Sequence, residues 1–198
     1  MKFVVVFIMT LLVGCHGATD YTPQVGDLVF QISKSSQSKA IQLATKSQWS
    51  HVGVIVLKDN NVFVAEAIKE VSLTPLDLWI KRGEGSSYVV KRLRNNSILD
   101  NELLCKETEK YLGKKYDFQF NWSDDKQYCS ELVWKIFKRS QNIELSTLDT
   151  LGSYDFTNPI VYKKLSERYG DSIPYNEPVI APSDLFESKL LIEIYIQK

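Results

Sequence analysis

The chain of 198 residues carries only two histidines and three cysteines. His16 and Cys15 sit side by side at the edge of an N-terminal apolar segment, leaving His51, Cys105 and Cys129 for the folded body. A four-ligand zinc site built from His and Cys alone is thereby excluded, and no other metal or cofactor site is expected. Neither sign of charge is in excess, since Lys plus Arg and Asp plus Glu number 24 each. That balance removes the basic footprint a nucleic-acid binder needs. Internal repeats, low-complexity tracts and long linkers are missing too, so a single domain over about residues 22–198 is the reading. What is present is 44% apolar and 12% aromatic residues, enough for a core that needs no disulfide support.

Met1-Lys2 followed by Phe3–Val13, in which only Thr10 is polar, reads as an export signal over residues 1–14. The apolar run is too short for an ordinary membrane-spanning helix. Leu12-Val13-Gly14-Cys15 resembles a bacterial lipobox, which implies cleavage before Cys15 and a lipid on its thiol; ordinary cleavage near Gly17 or Ala18 is the alternative. Either way the mature protein is expected outside the cytoplasm, and the lipobox makes it a membrane-anchored lipoprotein of the bacterial cell envelope. Disulfides persist there, so a Cys105–Cys129 bridge would silence both thiols. The loop between their helices argues against one.

Leu28–Ile32 reads as a buried strand after the Gly26-Asp27 break, and Ser35–Ala44 as a helix. His51–Leu57 and Val62–Ala67 form a hairpin around Lys58-Asp59-Asn60-Asn61. Thr74-Pro75 opens a short helix that Gly83 closes, Tyr88–Leu93 is a strand, and Ile98–Leu112 is an amphipathic helix ending at Gly113. Phe118–Trp122 alternates like a strand. A helix is expected over Asn158–Tyr169 and an outer strand over Leu190–Ile196. Helices and strands mix without a βαβ rhythm, which points to an α+β fold.

The chemistry rests on one cysteine and one histidine. Positions 129, 132, 133, 136 and 137 share one face of a helix whose first turn holds Cys129, with Asp124 and Asp125 upstream as polar residues suited to its start. The positive end of the helix dipole favours a thiolate there, although the same spacing fits a small buried cysteine. His51 is the single histidine left to act as its base, or else a strand-edge histidine bonded to a carbonyl. If Leu57 pairs with Val62, Glu66 is a diagonal neighbour of His51 on the same face, about 7–8 Å away at the backbone. Glu66 interrupts an apolar strand, where a carboxylate needs a partner unless it faces solvent. A one-residue slip would reverse its face.

Gly26-Asp27-Leu28-Val29-Phe30, Ser36-Gln37-Ser38, Ser50-His51-Val52-Gly53, Phe63-Val64-Ala65-Glu66-Ala67, Gly113-Lys114-Lys115-Tyr116-Asp117 and Tyr128-Cys129-Ser130-Glu131-Leu132 occur in that order. Together they resemble the YiiX-like permuted papain-like cysteine hydrolases of the NlpC superfamily, from about Val25 to Phe186. The resemblance implies a small antiparallel, barrel-like sheet packed against helices, including the nucleophile helix. It implies Cys129 as nucleophile, His51 as base and Glu66 as the group that orients the imidazole. Tyr116 falls where such enzymes carry a tyrosine lining the site, and Tyr128 beside the nucleophile is a second candidate substrate contact. Cys105 is read as structural. The expected activity is amide or peptide hydrolysis through an acyl-enzyme, on small cell-wall-type peptides. Lipid acyl hydrolysis or transfer, related to lecithin:retinol acyltransferase-like enzymes, and a non-catalytic binding lipoprotein are the alternatives. Trp49, Trp79, Trp122, Phe118 and Phe120 are candidates for an acyl groove or for the core.

Overall fold

The computed structural model describes residues 21–198, so the segment read as an export signal and Cys15 lie outside the described residues. Ten strands and six α-helices follow in the order β1 (Leu28–Gln31), α1 (Ser38–Thr45), β2 (His51–Lys58), β3 (Asn61–Ala67), β4 (Val71–Pro75), α2 (Leu76–Arg82), β5 (Tyr88–Leu93), α3 (Asn101–Glu109), β6 (Lys115–Tyr116), β7 (Lys126–Gln127), α4 (Cys129–Gln141), β8 (Asp149–Thr150), α5 (Pro159–Tyr169), β9 (Pro178–Val179), α6 (Pro182–Phe186) and β10 (Leu191–Gln197). Six strands form one antiparallel sheet in the order β10-β5-β1-β2-β3-β4. The fold is α+β, and no helix of the described residues is long and apolar enough to cross a membrane.

Both faces of this sheet are covered. Leu28, Phe30, Val52, Val54 and Ala65 pack with Leu132, Val133, Ile136 and Phe137 of α4 on one side. Val29, Ile55, Val64 and Val90 pack with Trp79 of α2 on the other. Two-sided burial explains why Val52–Val56 is an unbroken apolar run instead of an alternating one. Each fully buried Val, Leu, Ile or Phe among them contributes roughly 1.5–3 kcal/mol. The strand β10 lies at one edge, as its sequence predicts, but a bulge between Glu193 and Tyr195 breaks the expected alternation: Ile194 and Tyr195 both pack on the sheet and Ile196 is exposed.

The β2–β3 hairpin has the predicted register, Leu57 opposite Val62. Its turn is tighter than the four residues expected, because Lys58 pairs with Asn61 and leaves Asp59-Asn60 with φ of 50° and 60°. Those left-handed values match a two-residue turn whose twist suits a hairpin. Gly53 is required by close approach: a Cβ there would lie 2.3 Å from Val64 Cγ1.

Three expectations need correction. The Thr74-Pro75 pair ends a strand, β4, before α2 begins at Leu76; pairing to β3 overrides the helix-start reading. Phe118–Trp122 is a loop, turned by Phe120 at φ 52° and tied by Asp117, which accepts from the Gln119 and Asn121 amides. Asp124 does not cap α4 but pairs with Lys135 and Arg139 further along it.

The Gly26-Asp27 break proves to be an anchor. Asp27 is fully buried and accepts from Arg92 through both oxygens at 2.6 and 2.8 Å, from Tyr21 Oη at 2.7 Å and from the Gln24 amide at 2.9 Å. This ties the segment before β1 to β5. Asp27→Ala leaves a guanidinium and a phenol without their acceptor and should cost about 3–5 kcal/mol of stability. Chemical denaturation checks this; an unchanged midpoint and slope would contradict it.

Candidate active site

The helix α4 begins at Cys129, the first helical residue, which is buried. Its start is fixed by Glu131, whose Oε2 accepts from the Tyr128 amide at 3.2 Å, and its end by Asn142 at φ 55°. The apolar face predicted for it, Leu132, Val133, Ile136 and Phe137, is wholly buried, so the thiol sits on a rigid element. His51 is the first residue of β2, and its ring stacks on Trp79 at 6.2 Å between centroids.

Glu66, on β3, is fully buried and meets His51 Nε2 at 2.6 Å. Two partners were not foreseen. Arg82 donates to both Glu66 oxygens at 2.6 and 2.5 Å, and Thr74 Oγ1 donates to Oε1 at 2.5 Å. Thr74 could have been found had β4 been recognised, because Glu66 stands opposite Ser72 and Thr74 is then its diagonal neighbour. Arg82 ends α2 and left no signal beyond the need of a buried carboxylate for a cation.

Since Nε2 is held by Glu66, Nδ1 is the imidazole nitrogen left to face Cys129. Burial opposes the charge on His51, but hydrogen bonds to Cys129 and Glu66, and the negative charge of both, outweigh it and hold its pKa at about 9. For Glu66 burial alone would raise the pKa; the bond and charge of His51, then Arg82 and Thr74, bring it down to about 2. The pair is thus arranged as imidazolium beside carboxylate at neutral pH.

Tyr116 and Tyr128 are both buried beside Cys129. The Tyr116 hydroxyl accepts from Gln37 Nε2 at 3.3 Å, and the Tyr128 hydroxyl accepts from the Ile180 amide at 3.1 Å. A cavity of about 100 Å³ opens against Cys129, walled by Ala40, Phe120, Tyr128, Val161, Leu165 and Ile180 among others. A larger cavity of about 570 Å³ opens against His51 and carries Lys69, Lys164, Glu167 and Arg168. The helix α5, whose side chains supply a wall to both, was foreseen as a helix but not as part of the site. Of the aromatics proposed for an acyl groove, only Phe120 lines the cavity at Cys129. Phe118 lines the larger one, and Trp49 and Trp79 belong to the core. Cys105 and Cys129 are both free thiols, Cys105 half-buried against the core.

The chain is 44% identical over 188 residues to protein YiiX of Escherichia coli (strain K12), covering 94% of this chain and 93% of that one. A crystal structure of YiiX from Escherichia coli O157:H7 superposes with a TM-score of 0.86 at 44% identity, covering 89% of this chain and 99% of that one. That protein is described as a metalloprotein. Among the described residues here, no three His, Cys, Asp or Glu side chains gather as ligands for a metal ion. Both Glu66 oxygens and His51 Nε2 are already engaged with protein partners. The donor set does not fit a resident metal. The signature of the permuted papain-like amidases, YaeF/YiiX, C92 family, matches residues 22–195, and with the overall likeness to YiiX it shows that this chain belongs to that family of cysteine-peptidase-type enzymes.

Proposed function

We propose that the protein is an exported amidase in which Cys129 is the nucleophile, His51 the proton carrier and Glu66 the group that orients and charges the imidazole. The observation that carries this reading is the pairing of a thiol at the first residue of a helix with an imidazole whose far nitrogen is held at 2.6 Å by a buried carboxylate. Thiolate attack on an amide carbonyl forms the S–C bond. The first-turn amides of α4, which have no intrahelical acceptors, are placed to stabilise the oxyanion. His51 protonates the departing amine as the C–N bond breaks, and a water deprotonated by His51 then cleaves the thioester.

Small cell-wall-type peptides are one substrate reading. The lipid-type reading, an apolar acyl group, is favoured by the apolar cavity against Cys129. Tyr116 and Tyr128 contact that group as walls of the cavity. A series of acyl amides lengthened from two carbons upward tests it. Each buried methylene is worth ~0.8 kcal/mol, so kcat/KM should rise roughly threefold to fourfold per added carbon until the cavity is filled. A flat series, with faster cleavage of hydrophilic peptides, would return the choice to cell-wall-type substrates.

The lipobox at Leu12–Cys15 supports a lipid anchor on Cys15. The mature chain should partition into detergent and yield a diacylated or triacylated N-terminal peptide, because stable anchoring takes more than one chain. A soluble mature chain starting at Ala18 without lipid would contradict this.

A further inference from the structure

The two cavities meet at Tyr116, which lines both of them, as do Gln37 and Arg168. These three residues form a hydrogen-bonded bridge. Arg168 donates to Gln37 Oε1 at 3.0 Å, Gln37 Nε2 donates to the Tyr116 hydroxyl at 3.3 Å, and the Arg168 guanidinium lies 4.2 Å from the Phe120 ring centroid. On one side of the bridge is the apolar cavity with Cys129, and on the other is the polar cavity with His51. The reaction gives these sides different meanings. The acyl group stays on sulfur, while the amine leaves from the imidazole that protonates it.

The polar cavity has an unbalanced charge. Among its lining residues Lys69, Lys164 and Arg168 face a single carboxylate, Glu167, which Lys164 holds at 2.7 Å. Lys69 and Arg168 have no carboxylate partner within ion-pair distance among the described residues, whereas the charge of His51 is balanced by Glu66. A cavity of about 570 Å³ with two unneutralised cations is built to take an anion. We infer that it is the leaving-group site, and that the preferred substrate is an amide of an anionic amine, its carboxylate or phosphonate received by Arg168 and Lys69. This rests on the amidase reading given above. The balance is that of the amide hydrolysis: the C–N bond breaks, the imidazolium proton goes to the amine nitrogen, and the anion keeps its charge throughout.

Two measurements on the full mature chain test it. The first needs no turnover. Iodoacetate and iodoacetamide differ by one charge, and their relative rates at Cys129 read the field around the thiol. Arg168→Gln and Lys69→Gln should each lower the iodoacetate-to-iodoacetamide ratio at least threefold, and Arg168→Lys should keep most of it. In the wild type the ratio should fall as salt is added. The second compares octanoyl amides of glycine, aminomethylphosphonate and glycinamide. The two anionic amines should exceed the neutral one in kcat/KM at least tenfold, and Arg168→Gln should shrink that advantage at least fivefold; whichever anion leads identifies the natural headgroup. Equal or better cleavage of the glycinamide substrate, or alkylation ratios unmoved in both Gln variants, would overturn the inference. If no amide is cleaved, the amidase reading fails, while the alkylation ratio still decides whether the cavity attracts anions. Should Arg168→Gln fail to fold, exposed Lys69 and the salt dependence carry the decision.

Discussion

Replacing Cys129 by alanine should lower kcat for amide hydrolysis by on the order of 10⁴-fold or more, down to the background that binding and oxyanion stabilisation alone provide. No other group can stand in. Cys105 is the other free thiol among the described residues, and it lies in α3 and lines neither cavity of the site. The loss should be chemical and not structural. One buried sulfur is removed from a helix whose other buried side chains remain, which costs about 1 kcal/mol. Unchanged far-ultraviolet circular dichroism and a small shift in melting temperature would separate the two. Retained turnover in a correctly folded Cys129→Ala protein would move the nucleophile elsewhere.

The second large effect is expected from Glu66→Gln, which should reduce kcat/KM about a hundredfold or more. The amide has the shape of the carboxylate but cannot supply its charge. Arg82 is partly exposed and can turn to water, so the fold should survive with a loss of about 1–3 kcal/mol. The pH dependence gives the sharper reading. An imidazole with a pKa of about 9 keeps its proton, and so its charge beside Cys129, through neutral pH, and activity should fall as pH rises through about 9. Without the Glu66 charge, burial dominates and the imidazole loses its proton at lower pH. The basic limb should therefore move down in the variant, narrowing the active window from the alkaline side. A limb left in place would rule out the orienting role.

The parts of the fold that could be read from the sequence are those where one local signal decides. The apolar face of α4 follows from spacing at 129, 132, 133, 136 and 137, and all four of its large residues are buried. The hairpin register, fixed by the Asp59-Asn60 turn, placed Glu66 beside His51, and the 2.6 Å contact follows from that register. Tertiary pairing hid the rest. Val71–Pro75 carries too short a pattern to stand out from a helix start, yet β3 captures it as a strand and so brings Thr74 to Glu66. Arg82 reaches the same carboxylate only because α2 folds back over the sheet. The alternation of Phe118–Trp122 misled because backbone bonds to Asp117, not strand pairing, determine its course. The role of α5 could not be read at all: Val161, Leu165 and Arg168 become walls of the site only through its packing on α1 and the loop after β6.

The central claim is a covalent one, and the most direct measurement is mass spectrometry of the protein quenched with acid during turnover of an acyl amide. The account predicts a mass increase equal to the acyl group on the peptide containing Cys129, removed by hydroxylamine as a thioester is, and missing from Cys129→Ala. Steady hydrolysis with an unmodified Cys129 peptide, or the same adduct on another residue in the alanine variant, would contradict it.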